Sequence, residues 1–138
     1  MKVLFLTSEA DPFIKTGGLA DVAGSLPKEL VKKGIDIRVV MPLYSSIDDI
    51  YKNKMKKIKE FYVDLDWKHQ YAGIYSLKWD NVEFYFIDNL EYFDRPNAYG
   101  YDDDAERFIF FSKATTLLGK EIDFKPDIIH ANDWHTAL

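Results

Sequence analysis

The sequence contains no cysteine among its 138 residues. A disulfide framework, a thiolate metal cluster and a catalytic thiol are therefore excluded, and this absence fits a reducing compartment. Long apolar runs are also missing, because the apolar stretch after Lys2 is too short for a signal-peptide core or a membrane span. We therefore expect a cytoplasmic protein that has no membrane partner.

An excess of positive charge is lacking as well. The 18 Lys and Arg residues are outnumbered by 23 Asp and Glu residues, which gives a formal net charge of -5. No global positive field is available to hold nucleic acid, so we expect no nucleic-acid partner. Hydrophobic residues make up 47% of the chain and aromatic residues 16%, far above the composition of disordered chains. Residues 1–138 are expected to fold as one domain.

Apolar spacing predicts a strand, a helix and a second strand in the first part of the chain. The continuous apolar run at 3–6 is typical of a parallel strand buried on both faces. Between 19 and 30 the apolar residues recur at helical spacing, although Pro27 predicts a kink or short break there. Residues 35–40 predict a second strand that Pro42 ends.

The middle of the chain is rich in aromatic residues with strand-like patterning. Strands are predicted at 58–66, 71–79 and 82–88, with turns at Lys68-His69 and Asp80-Asn81. These strands would form a meander or hairpin extension of the sheet.

The last part of the chain predicts one more helix and strand. An acidic cluster at 102–104 begins an amphipathic helix over 103–118, and 126–130 forms a short apolar strand. Residues 136–138 look like the first turn of another helix. The fold class is therefore α/β, a Rossmann-like three-layer domain with a mainly parallel sheet.

A glycine loop, Lys15-Thr16-Gly17-Gly18, lies between the first strand and the first helix. Backbone N–H groups and the helix dipole attract an anion at such a position, and two glycines let a ligand approach the backbone closely. A tight turn that needs glycine φ values explains the loop equally well. The loop matches neither the dinucleotide fingerprint nor the Walker motif.

This segment also carries a family resemblance. Ser8 to Phe13 followed by Lys15 to Val22 resembles the N-terminal signature of bacterial glycogen synthases and plant starch synthases. The resemblance covers nearly the whole chain, continuing through 24–27, 40–42, 94–96 with Tyr99, 103–108 and 130–138. It is weaker over 45–80, and Asn132 stands where some members have histidine.

The resemblance implies the N-terminal half of a GT-B glycosyltransferase, whose C-terminal domain holds most of the sugar donor. The complete enzyme would transfer glucose from ADP-glucose, or UDP-glucose, to the non-reducing end of an α-1,4-glucan with retention of configuration. Neither a cofactor nor a metal is expected. The alternatives are another GT-B sugar transferase, which the run from Lys15 to Asp21 disfavours, and a non-catalytic flavodoxin-like module that binds a nucleotide or phosphate.

The resemblance also implies roles for individual residues. Lys15, Gly17 and Gly18 would contact the diphosphate of the sugar donor, while Asp21 would contact the sugar or organise the loop. For Asp21, a plain helix-start acid that complements the dipole is the alternative. His135 is the main catalytic candidate, through its main-chain carbonyl or its side chain.

Tyr99 and Asp103 are assigned to substrate binding by the same resemblance. Tyr92, Tyr99 and Tyr101 lie in a polar and aromatic loop suited to stacking on sugars, although a packed surface loop is equally plausible. Trp134 is expected in the core. The acidic triplet at 102–104 is interpreted as a helix start rather than a metal site.

Overall fold

The computed structural model describes all residues from 1 to 138. In chain order its elements are β1 (Lys2–Leu6), α1 (Gly18–Lys32), β2 (Asp36–Pro42), α2 (Asp49–Lys52), β3 (Lys56–Leu65), β4 (Lys68–Trp79), β5 (Val82–Asp88), α3 (Leu90–Phe93), α4 (Asp104–Glu121), β6 (Ile128–Ala131) and a 3₁₀ helix at Trp134–Thr136. Every predicted strand and long helix is present. The one-turn helices α2 and α3 were not predicted.

The six strands form a single sheet in the order β3-β4-β5-β2-β1-β6. β1 pairs in parallel with β2 and β6, and β2 pairs in parallel with β5. β4 is antiparallel to both of its neighbours and is the only strand that runs the opposite way. The carboxyl ends of all the other strands therefore lie along one edge of the sheet.

Helices cover the sheet on both faces. Val3 to Leu6 are all buried, which requires packing partners above and below β1. Leu4 and Leu6 each line a cavity together with Thr115 of α4, whereas α1 packs on β2 and β5. The crossovers from β1 to β2 and from β5 to β6 move in opposite directions, so right-handed connections place α1 and α4 on opposite faces. The predicted three-layer α/β fold is confirmed.

Helix α1 continues through Pro27 without the predicted break. Proline removes the hydrogen bond that would reach the carbonyl of Ala23, and this loss usually kinks or ends a helix. Here Ala23 and Pro27 are buried, and Leu30 and Val31 after the proline pack against the core. Packing on both sides of the proline therefore holds the helix together. After the last turn of α1, Gly34 has a φ of +81°, the left-handed backbone that glycine adopts readily.

The β3–β4 turn lies at Asp66-Trp67, so the prediction of Lys68-His69 is wrong. Leu65 pairs with Lys68, and Asp66 has a φ of +42°. A two-residue hairpin turn needs left-handed backbone, which aspartate tolerates better than most residues. The predicted turn at Asp80-Asn81 is confirmed, and both residues have positive φ values, +49° and +63°.

Helix α4 begins at the predicted acidic cluster, with Asp103 immediately before its first residue. It runs past Gly119, where a Cβ atom would lie only 3.0 Å from the carbonyl oxygen of Phe124. The final segment forms a 3₁₀ turn rather than the start of an α-helix. None of the helices combines the length and apolar character needed to cross a membrane.

Candidate functional site

The candidate site lies at the carboxyl edge of the sheet, where β1 separates β2 from β6. From β1 the chain continues to β2 on one side, whereas β6 pairs with β1 on its other side. Open α/β sheets bind ligands in the crevice at such a switch point. The Tyr44 hydroxyl donates to the carbonyl of Ser8 at 2.8 Å. The amide side chain of Asn132 donates to the carbonyl of Leu6 at 2.8 Å. These bonds fix the segments after β2 and β6 against the end of β1.

Neither glycine of the glycine loop is required by the chain's own conformation. Gly17 has a φ of -167°, which is extended backbone open to any residue, and Gly18 is the first residue of α1 without a positive φ. A Cβ added at either position would meet nothing within 4 Å. The interpretation as a tight turn that needs glycine is therefore wrong. The backbone at both glycines is open to whatever group lies beside the loop.

The start of α1 offers unused hydrogen-bond donors. The amides of Gly17, Gly18 and Leu19 have no acceptor within the chain, and no side chain caps this end of the helix. All of these groups lie at the positive end of the helix dipole. The local chemistry suits an anion such as a phosphate group.

Lys15 and Asp21 form an ion pair beside these amides. Their side chains meet at 2.7 Å, and each is about half exposed, at 51% and 57%. The hydrogen bond to Asp21 raises the pKa of Lys15, with the charge of the same carboxylate as the second cause. An exposed pair of this kind is weak, so an anion at the loop could compete with Asp21 for the ammonium group.

His135 is held in a cluster of aromatic rings. Its ring stacks on Tyr99 with centroids 4.6 Å apart, lies 4.0 Å from the ring of Trp134 and meets the edge of Phe108. Burial lowers the pKa of His135 despite the opposing charges of Asp133 and Glu9, so the neutral imidazole is favoured.

One ring nitrogen of His135 lacks a hydrogen-bond partner. Its Nδ1 is buried and has no hydrogen-bond partner, which is costly unless a ligand or water completes it. The main-chain carbonyl of His135 instead accepts a hydrogen bond from Ser112 of α4 at 3.2 Å. The carbonyl thus has a partner within the chain, whereas Nδ1 has none.

The loop after α3 brings Tyr99 to His135. The Tyr99 hydroxyl is 2.6 Å from Oγ of Ser8, and burial raises the pKa of this phenol. The loop is clamped by Arg107, which is fully buried and donates to the carbonyls of Tyr92 and Ala98 at 2.7 and 2.9 Å. Tyr99 thus joins the end of β1 to the histidine.

Asp103 braces the same loop rather than presenting a free carboxylate. Its two oxygens accept from the guanidinium of Arg95 at 2.5 and 2.7 Å, and this pairing lowers the pKa of Asp103. Tyr92 is also unavailable to a sugar, because it is fully buried and its hydroxyl donates to Glu106. Of the three loop tyrosines, Tyr99 alone stacks on His135.

Trp134 does not lie in the core, because 44% of its surface is exposed. The 3₁₀ turn directs His135 and Thr136 inwards and leaves the indole at the surface beside the histidine. The side chain of Asp133 accepts from the backbone N–H of Trp134 at 2.7 Å and so begins this turn. No grouping of His, Asp or Glu side chains in the chain could hold a metal ion.

Sequence reasoning missed Glu9. Glu9 is 2% exposed although it lies in the loop beyond the end of β1 at Leu6, and its carboxylate accepts from the backbone N–H of Thr16 at 2.9 Å and from the Thr16 hydroxyl. The only available signal was its place within the signature that begins at Ser8. Nothing in the local pattern indicates that the side chain turns inwards.

Comparison with known proteins identifies the family of the chain. Residues 2–138 match the family described as the starch synthase catalytic domain. The chain belongs to this family. Its match to the family covers the glycine loop, Tyr99, Asp103 and His135 alike.

The glycogen synthases to which the chain is similar are longer proteins. It is 59% identical to a glycogen synthase of Finegoldia magna and 54% identical to one of Clostridium botulinum, over 138 residues in each case. These alignments cover 100% of the chain but 29% of each relative. The catalytic domain of starch synthase IV from Arabidopsis thaliana, solved with ADP and acarbose, superposes with a TM-score of 0.90 at 31% identity. That match covers 98% of this chain and 28% of the other.

Proposed function

We propose that the chain is the N-terminal part of a glycogen or starch synthase. The complete enzyme transfers glucose from ADP-glucose to the non-reducing end of an α-1,4-glucan and retains the anomeric configuration. Support comes from the family membership and from the similar starch synthase structure, which was solved with ADP and acarbose. UDP-glucose is the alternative sugar donor.

The observation that carries this proposal is the unexplained pair of glycines. Gly17 and Gly18 are not needed for backbone conformation or packing, and the amides beside them are free. In the proposed enzyme these amides and Lys15 receive the diphosphate of the sugar donor. Asp21 holds Lys15 when the site is empty and contacts the sugar or orders the loop when it is filled.

His135 lies at the reacting glucose in this proposal. The imidazole of His135 is neutral, and its Nε2, unlike the buried Nδ1, can receive a sugar hydroxyl as a hydrogen-bond partner. Tyr99 supports the imidazole ring and contributes to the substrate-binding wall, while Asp103 acts on substrate through the loop that it holds in place with Arg95.

The chain supplies one wall of a cleft, and a C-terminal domain supplies the other. This division accords with the chain's coverage of 29% of its glycogen synthase relatives. The sugar-donor contacts made by the glycine loop would then be completed by groups beyond the chain. Nothing in the proposal requires a cofactor or a metal ion.

The test uses the complete polypeptide with radiolabelled ADP-glucose or UDP-glucose and glycogen. We expect label to enter the glucan, with ADP-glucose preferred. Treating the product with β-amylase, which removes maltose from non-reducing ends of α-1,4-glucans, should release the label as maltose. Label that stays in the limit dextrin, or no incorporation from either nucleotide sugar, would contradict the proposal.

A further inference from the structure

Glu9 is buried between two parts of the candidate site and has no role in the proposed chemistry. One of its oxygens accepts both the backbone N–H of Thr16, at 2.9 Å, and the Thr16 hydroxyl. A carboxylate that is 2% exposed loses most of its hydration, which is costly unless such donors replace the water. Because burying a carboxylate costs free energy, we expect Glu9 to have a specific role.

The glycine loop has little else to fix its shape. Lys15, Thr16, Gly17 and Gly18 are all exposed, and the ion pair of Lys15 with Asp21 is open to water. Among the backbone groups of 15–17, the N–H of Thr16 makes the only hydrogen bond to the segment that follows β1, and its acceptor is Glu9. The remaining bond, from Ala20 to the carbonyl of Gly17, stays within the turn itself.

Glu9 and its neighbour Ser8 also reach the other half of the site. Oγ of Ser8 is 2.6 Å from the Tyr99 hydroxyl, and Glu9 contributes to the raised pKa of Tyr99 after burial. Tyr99 in turn stacks on His135. The dipeptide at the end of β1 therefore links the glycine loop to the catalytic candidate.

We propose that Glu9 is a positioning residue that fixes Thr16 and thereby holds the free amides of the glycine loop ready for the sugar-donor diphosphate. It does not touch the diphosphate, because its negative charge has the wrong sign and its carboxylate is turned towards Thr16. The inference rests on the proposed function and adds to it the group that orders the loop.

The test measures steady-state kinetics of the complete enzyme with the sugar donor and the glucan varied separately. Glu9→Ala removes the acceptor for Thr16, and we expect the KM for the sugar donor to rise about tenfold, as for one lost charge-assisted hydrogen bond. The inhibition constant of the nucleoside diphosphate product should rise in parallel. The KM for glucan should change by less than about twofold, since that ligand does not depend on the loop.

Glu9→Gln is the matched variant. It keeps a carbonyl oxygen for the Thr16 N–H and should bring the KM for the sugar donor back to within about threefold of the parent value. A general structural role would instead lower turnover and raise both KM values together. Equal defects in the Ala and Gln variants, or an unchanged sugar-donor KM in Glu9→Ala, would overturn the inference.

Thr16→Val provides a second route if Glu9→Ala fails to fold. Thr16 is exposed, so valine removes the hydroxyl donor while leaving the core and the backbone N–H in place. We expect a rise of about three- to fivefold in the KM for the sugar donor and none in that for glucan. No change in either KM would overturn the inference. These outcomes differ from failure of the proposed function, in which the parent enzyme itself would transfer no glucose.

Discussion

Gly18→Ala should separate stability from binding in the glycine loop. The added methyl group would meet nothing within 4 Å, and the residue already has helical backbone. Replacing glycine where the native backbone suits alanine stabilises a protein by about 0.4–1 kcal/mol, chiefly by restricting the unfolded chain. We therefore expect a small rise in the free energy of unfolding, measured by urea titration of the 138-residue chain.

The same methyl group should weaken binding of the sugar donor in the complete enzyme. It would project from the backbone beside the free amides of Gly17 and Leu19 and keep the diphosphate from close approach. A tenfold rise in the sugar-donor KM corresponds to about 1.4 kcal/mol, and a displaced diphosphate should lose at least that much.

Gly24→Ala is the matched control within the same helix. Its Cβ would lie 2.7 Å from the carbonyl oxygen of Asp11, a backbone atom that cannot move alone. Overpacking of this kind costs about 1–3 kcal/mol, and alanine's helix preference recovers only about 1 kcal/mol. We expect Gly24→Ala to destabilise the chain. The reasoning is refuted if Gly18→Ala destabilises as much as the control, or if it leaves the sugar-donor KM unchanged.

Other changes at the site should act in distinct ways. Lys15→Ala should raise the sugar-donor KM without altering thermal stability, because the pair with Asp21 is exposed; unchanged kinetics would remove Lys15 from the site. His135→Ala should lower kcat about a hundredfold with little change in the glucan KM, and wild-type turnover would exclude the side chain. Because burial lowers the pKa of His135 below its usual value of 6.5, its contribution to stability should be present above pH 6.5 and lost as pH falls through the folded-state pKa. His135→Gln should remove that pH dependence in urea titrations, whereas an unaltered dependence would contradict it.

The fold could be predicted where local patterns and burial agree. Continuous apolar residues at 3–6 mark a strand covered on both faces, and Gly34 marks the end of α1. Pro27 was misjudged because its local cost is visible in the sequence, whereas the packing that offsets it depends on the sheet. The turn at Asp66-Trp67 was misplaced because Trp67, a residue type common in strands, lies within the turn itself.

The site was predictable in its motifs but not in its contacts. The glycine loop and His135 were found from spacing and family signature, and both lie at the carboxyl edge of the sheet. The burial of Glu9 and the exposure of Trp134 depend on how the surrounding loops fold, which the local sequence pattern does not show. The pairing of Asp103 with Arg95 is likewise set by the path of the intervening loop.

The central claim is that this chain forms one wall of a glucosyl-transfer cleft. Its most direct test compares incorporation of radiolabelled glucose from ADP-glucose into glycogen by the 138-residue chain and by the complete polypeptide. Oriented proximity of reactants is worth about 7–11 kcal/mol, which one wall alone does not provide. We predict incorporation by the complete polypeptide and none by the chain alone. Incorporation by the chain alone, or none by the complete polypeptide, would contradict the claim.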